Sequence, residues 1–286
     1  MDGIGPPLVT PFTEAGRVDH DNLISLLDRL ESAGIDFVVP CGSTSEAPML
    51  SSSERKAVIE TVASTASVPV IAGTGHPSLA ETIETTAFAA TAGADAALVV
   101  TPYYYNHDQD ALTAYYGELA DEVSIPIYLY SVPKFTGVTL EPPTIERLAT
   151  HPNIHGIKDS SGSLKRVIRT LERTESAEFD VMVGATSLVA TALSHGCSGA
   201  ILALANLTPA ELAEAYSAHQ AGAIEDARIA IANLVDLNHA ITNTYGIPGL
   251  KWAMRYRDMP AGHPRAPFQG LDAAQQRELK QLIDGH

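Results

Sequence analysis

Eight short apolar runs, each followed by a stretch that reads as helix, constrain this chain more than anything else in it. The runs are Leu8–Thr10, Phe37–Val39, Val70–Ala72, Ala97–Val100, Ile127–Tyr130, Ile154–Ile157, Val181–Val183 and Ala200–Ala203. They are apolar and β-branched without alternation, the pattern of parallel strands buried on both faces. The stretches between them carry helix signals. Asp19 is placed to cap a helix reaching Ala33, with Gly34 as its stop. Ser51 and Glu54 form the S-x-x-E of a capping box. Pro77 and Ser78 open a further helix that Gly93 closes. Eight strand–helix units in about 220 residues match a (β/α)₈ barrel. A doubly wound sheet is the competing layout, but Gly73-Thr74-Gly75 lacks the third glycine of a dinucleotide fingerprint.

The reading therefore is an α/β chain with a (β/α)₈ barrel over residues 1–223. Residues 224–286 form a C-terminal helical extension packed on it, since no linker-like tract separates the two. A content of 45% hydrophobic residues suffices for one large core. The net charge of −16 argues against a nucleic-acid partner, which a basic face would have to hold. No run approaches the roughly 18 apolar residues of a membrane helix. No basic stretch followed by an apolar run opens the chain, so a cytoplasmic protein without a secretory signal is expected. Cys41 and Cys197 lie in no C-x-x-C, and neither a metal nor a cofactor is called for. Lysine is scarce: Lys56, Lys134, Lys158, Lys165, Lys251 and Lys280 are all there is. An acidic, lysine-poor surface fits a halophilic protein as well as an ordinary acidic one.

In a barrel of this kind the active site lies at the C-terminal ends of the strands. Lys158 follows directly on the buried run Ile154–Ile157, where desolvation disfavours an ammonium and leaves a nucleophilic amine for Schiff-base chemistry. The plain alternative is a lysine salt-bridged to Asp159 at the barrel rim. Lys251 reads as the opening of a C-terminal helix and Lys134 as a loop residue. Tyr130 ends the neighbouring strand, so its phenol can face Lys158 and move protons, with Ser43 and Thr44 as relay hydroxyls. Tyr130 as a core aromatic and Gly42-Ser43-Thr44 as a polar turn are the corresponding plain readings.

Four ordered segments carry a resemblance: Gly42-Ser43-Thr44-Ser45-Glu46, Thr101-Pro102-Tyr103-Tyr104, Tyr130-Ser131-Val132-Pro133 with Thr136-Gly137, and Gly156-Ile157-Lys158-Asp159. Together they resemble the pyruvate-dependent class I aldolases of the dihydrodipicolinate synthase and N-acetylneuraminate lyase family. The likeness runs from Val9-Thr10-Pro11-Phe12 to Gly246–Lys251, nearly the whole chain. It implies a homotetramer of barrels with no cofactor, acting on pyruvate and an aldehyde. Lys158 would form the pyruvate Schiff base and Tyr130 would transfer the protons. Ser43 and Thr44 would hold the pyruvate carboxylate, with Thr44 also in the relay. Tyr104 would be the relay tyrosine lent across a dimer interface, and Gly184 and Ile201 would line the pocket. Ser45 departs from the family, which often has Gly there.

The second substrate is read from what replaces the family's other anchors. Phe135 stands where synthases carry an arginine for a carboxylate, with Lys134 beside it. Gly184-Ala185-Thr186-Ser187 is neutral where N-acetylneuraminate lyases tend to be acidic, and Ser160 adds a hydroxyl two residues after Lys158. Such groups suit a small polyol, and Tyr130-Ser131-Val132-Pro133 with Lys158-Asp159-Ser160 resemble most the aldolases that split 2-keto-3-deoxy sugar acids, which implies a lyase cleaving 2-keto-3-deoxygluconate, or its 6-phosphate, to pyruvate and glyceraldehyde or its 3-phosphate. The alternatives are 4-hydroxy-tetrahydrodipicolinate synthase and 4-hydroxy-2-oxoglutarate aldolase. A catalytically dead ligand-sensing barrel is the non-enzymatic rival.

Overall fold

The computed structural model of the protein describes residues 1–285. The chain alternates strand and helix: β1 (Gly3–Gly5), α1 (His20–Ser32), α2 (Ser52–Thr65), β2 (Ile71–Gly73), α3 (Leu79–Ala92), β3 (Ala96–Val100), α4 (Gln109–Glu122) and β4 (Ile127–Ser131). It continues through α5 (Pro133–Thr136), α6 (Pro142–Leu148), β5 (Ile154–Asp159), α7 (Leu164–Thr174), β6 (Asp180–Val183), α8 (Val189–Ser194) and β7 (Gly199–Ile201). Helices α9 (Pro209–Gln220), α10 (Ile224–Asn233), α11 (Val235–His239), α12 (Gly246–Tyr256) and α13 (Ala273–Asp284) complete it. A π-helical turn, Ala240–Thr244, joins α11 to α12.

All strand pairs are parallel, in the order β1-β7-β6-β5-β4-β3-β2. The run Phe37–Val39 closes the barrel between the two edges through isolated bridges, Pro7 to Val39 and Val38 to Val70. It forms no continuous ladder because prolines surround it. Pro6, Pro40 and Pro69 have no N–H to donate, yet their carbonyls accept from Val39, Gly73 and Val38 at 3.0, 2.8 and 3.0 Å. The first strand lies at Gly3–Gly5 and not at the expected Leu8–Thr10. A Cβ on Gly5 would sit 2.2 Å from the Phe37 ring, so only glycine allows this close approach. Leu8–Thr10 instead leads from the sheet to the barrel mouth, with Val9 N–H donating to Asn206 Oδ1 at 3.1 Å.

Strand alternation divides the core in two. Phe37, Ile71, Leu98, Tyr130, Met182 and Ile201 fill the barrel interior. A larger apolar cluster, including Val38, Val99, Leu129, Ile157 and Val183, packs outward against the helices. Helix α1 supplies Leu23, Leu26, Leu27 and Leu30 at the 3–4 spacing that puts them on one face, and Asp19 caps it by accepting from Asn22 N–H. Ser51 and Glu54 form the full capping box of α2. Ser78 caps α3, and Gly93 ends it at φ 98°. Among the described residues no helix is long and apolar enough to cross a membrane.

Surface ion pairs such as Arg147–Asp110 at 3.1 Å offset little of the excess acidity. The thermal midpoint is therefore expected to rise between about 0.1 and about 1 M KCl, as the Debye length falls from about 10 to about 3 Å. A midpoint that is flat or falls over this range would show the acidic surface to be incidental.

Candidate active site

Strands β4 and β5 pair so that Tyr130 lies beside Lys158 and Ser131 beside Asp159. Successive residues of a strand point to opposite faces. Lys158 therefore enters the barrel, with its Nζ 4.4 Å from the centroid of the Tyr130 ring. Asp159 points outward to the helix layer, where its carboxylate accepts from Arg166 Nε of α7 at 3.0 Å and from Ser161 N–H at 2.7 Å. The expected alternative pairing of Lys158 with Asp159 is thereby replaced. Among the described residues no carboxylate lies within ion-pair distance of Lys158. Burial pushes the Lys158 ammonium below the usual lysine range, and the Tyr130 phenol opposes this only in part. An amine held this way is available in neutral form to attack a carbonyl.

Above these groups opens a cavity of about 460 Å³. Lys158, Tyr130, Ser43, Thr44, Gly184, Ile201, Ser160 and Phe135 all line it. Gly184 is required by space. A Cβ there would lie 1.9 Å from Ser160 Oγ and 3.1 Å from Lys158 Cε. Among the described residues the buried Ser160 Oγ has no hydrogen-bond partner, so it is a free polar group within the chamber. Ser43 Oγ stands 3.4 Å from Tyr130 Oη. Among the described residues the phenol's hydroxyl partner is Ser43, and no hydrogen bond joins Thr44 to Tyr130.

Two residues of the quoted segments, Tyr104 and Ser45, lie outside the lining of the chamber in the single chain. Tyr104 lines no part of the chamber; it is 86% exposed with φ 82°, edge-on to Tyr105 at 5.0 Å. Tyr103 instead lines a second cavity of about 280 Å³, which shares Ser43, Tyr130, Val132 and Phe135 with the first. Ser45 has a structural use for its side chain: its buried Oγ accepts from Gly42 N–H at 3.0 Å and tightens the turn that carries Ser43 and Thr44.

The C-terminal helices contribute residues that local sequence signals did not reveal. Asn238, Thr242, Asn243, Gly246, Ile247 and Leu250 line the main cavity. Asn238 is tied to the strand end by the Thr186 hydroxyl, which donates to its Oδ1 at 3.0 Å. Lys134, in the short helix α5, donates to Asn243 Oδ1 at 3.0 Å and to the Thr242 carbonyl at 3.3 Å. Its ammonium is therefore moored on the wall of the chamber that holds Lys158.

A dry amine, a phenol and a hydroxyl-bearing turn at the mouth of a parallel barrel are the groups that imine chemistry on a small 2-oxo acid requires. The model of the dihydrodipicolinate synthetase family matches residues 1–285. The chain belongs to that family. It is 39% identical to a 4-hydroxy-tetrahydrodipicolinate synthase of Methanothrix thermoacetophila, over 98% of this chain and 95% of that one. It is 37% identical to a synthase of the same name from Haloarcula marismortui, over 98% and 92% of the two chains. Among solved structures, the E. coli K12 prophage protein YagE, crystallised with pyruvate, superposes with a TM-score of 0.94 at 31% identity, covering 100% of this chain and 98% of that one. The protein is thus a pyruvate-using, Schiff-base-forming class I lyase of the dihydrodipicolinate synthetase family, and its substrates are small molecules.

Proposed function

We propose that the protein condenses pyruvate with aspartate semialdehyde, as a 4-hydroxy-tetrahydrodipicolinate synthase. The observation that carries this reading is the second cation, Lys134, on the wall of the chamber that holds Lys158. It supplies a counter-charge for the carboxylate of the second substrate where Phe135 replaces an arginine. The full-length likeness to relatives of that name supports it. In this scheme Lys158 Nζ attacks C2 of pyruvate, and water leaves to form the imine. The Ser43–Thr44 turn holds the pyruvate carboxylate, with Gly184 and Ile201 shaping the pocket around it. Tyr130, next to Ser43 Oγ, carries protons to and from the departing oxygen. Loss of a C3 proton gives the enamine, which adds to the aldehyde carbon. The amino group of the semialdehyde then displaces Lys158 and closes the ring. Tyr104, exposed in the single chain and held at a positive φ, completes the relay from a neighbouring copy in a homotetramer.

The walls also favour a second reading, cleavage of 2-keto-3-deoxygluconate to pyruvate and glyceraldehyde. Its support is the aromatic Phe135 together with the hydroxyls of Ser160, Ser161, Ser187 and Thr242. Assays of pyruvate with each aldehyde separate the two. The synthase reading expects aspartate semialdehyde to be turned over faster. It also expects Lys134→Met to lower kcat/KM for it about tenfold, the low end for a hydrogen bond to a charged group. Faster turnover of glyceraldehyde, indifferent to Lys134→Met, would establish the sugar-acid reading instead.

A further inference from the structure

Lys251 was expected to open a C-terminal helix. It lies instead inside α12, fully buried, and faces the equally buried Glu46, with Nζ 2.5 Å from Oε1. The ammonium also donates to the Thr10 carbonyl at 2.6 Å and the His263 carbonyl at 2.8 Å, and sits 4.5 Å above the Phe12 ring. The other oxygen of Glu46 accepts from Arg265 N–H at 2.8 Å. Two charges withdrawn from water are no better for stability than a well-packed apolar pair of equal volume. What they add is direction.

The direction concerns the turn from Gly42 to Glu46. Glu46 is held at φ 59°, a conformation a side-chain-bearing residue keeps only when its surroundings impose it. Its N–H donates to the Ser43 carbonyl at 3.2 Å, and Ser45 N–H donates to the Gly42 carbonyl at 3.1 Å. Thr10 links turn and cation: its hydroxyl donates to the Ser45 carbonyl at 2.7 Å while its own carbonyl accepts from Lys251. On the same helix Gly246, Ile247 and Leu250 line the chamber. Helix α12 therefore touches the reaction space with one face and grips the Ser43–Thr44 turn through Lys251.

We propose that Lys251 and Glu46 are positioning residues that lock the Gly42–Glu46 turn so that the Ser43 and Thr44 hydroxyls meet the pyruvate carboxylate beside Lys158. The inference rests on Lys158 as the imine-forming amine. The test is borohydride trapping of pyruvate on the full chain, with thermal unfolding followed on the same samples. The variants are Glu46→Gln and the double variant Glu46→Gln/Lys251→Met. Glu46→Gln keeps the volume and the acceptor for Arg265 N–H. The double variant leaves no unpaired buried charge. Both are expected to fold and to trap pyruvate fully at saturation. Half-saturation should be raised about tenfold to a hundredfold, as misplacement of a binding group costs. A folded Glu46→Gln with the wild-type half-saturation would overturn the proposal. So would a Glu46→Gln that does not fold, since the pair would then serve the fold and not the site. Wild-type protein that traps no pyruvate would fault the assignment of Lys158 itself, and the positioning role would fall with it.

Discussion

Lys158→Met is expected to abolish the borohydride-trapped pyruvate adduct, to lower turnover on the order of 10⁴-fold or more, and to make the protein more stable. Activity and stability move oppositely for one reason. The Lys158 amine is buried and has no carboxylate within ion-pair distance among the described residues, so burial lowers its pKa. An unfolded chain keeps the lysine protonated up to its usual range, while the folded chain releases that proton at lower pH. Between the two values the unfolded state binds more protons, so stability rises with pH. Below the folded value the native state carries a desolvated ammonium, and its cost is present in full. Methionine fills the same space without that charge. A gain of about 0.5–2 kcal/mol, or a few degrees in Tm, is expected near neutral pH. The rise of stability with alkaline pH should weaken in the variant. Peptide mapping of the wild-type adduct decides the assignment, because Lys134 lines the same chamber. Reduced pyruvyl mass on Lys134, or adduct persisting in Lys158→Met, would overturn it.

The legibility of this site in the sequence follows from the same physics. Lys158 was conspicuous because a lysine at the end of an unbroken apolar run has no ordinary explanation. Tyr130 was readable because adjacent parallel strands end in register. The first strand was not readable, because Gly3-Ile4-Gly5 has almost no apolar signal, and its glycines answer to Asp36 and Phe37 across the barrel. The role of Lys251 was hidden for a similar reason: whether a helical lysine is solvated or clamped depends on what packs over it. Thr242 and Asn243 reach the chamber through a π-helical turn that local propensity does not announce, and Asn238 from the end of α11 just before it. Which of Ser43 and Thr44 meets Tyr130 is a matter of side-chain direction in a tight turn flanked by Cys41 and Glu46 at positive φ, which spacing does not specify. Substrate class is not legible in the sequence, because Phe135 stands at the arginine position while the neighbouring Lys134 reaches the chamber only through the fold.

Tyr130→Phe is expected to lower kcat about 10²–10⁴-fold, the range of a general acid–base group, with the fold intact. The substitution keeps the ring that packs in the barrel interior with Leu98, Val132, Met182 and Ile201. It also keeps the aromatic face 4.4 Å from Lys158 Nζ. Only the phenolic oxygen is lost, and with it the 3.4 Å link to Ser43 Oγ. Each turnover moves protons when water leaves the carbinolamine and again when the imine is resolved, and among the described residues of this chain no other phenol lines the chamber. Binding of pyruvate should suffer less than its conversion, because the Ser43–Thr44 turn and Lys158 remain. Single-turnover trapping should therefore show slow adduct formation that still reaches the wild-type extent. Ser43→Ala, which leaves the phenol in place and removes its neighbour, should reproduce part of the same slowing. A fall of less than about tenfold in Tyr130→Phe, set against that same range, would reduce the residue to packing. Proton transfer would then belong to bound water or to the substrate itself.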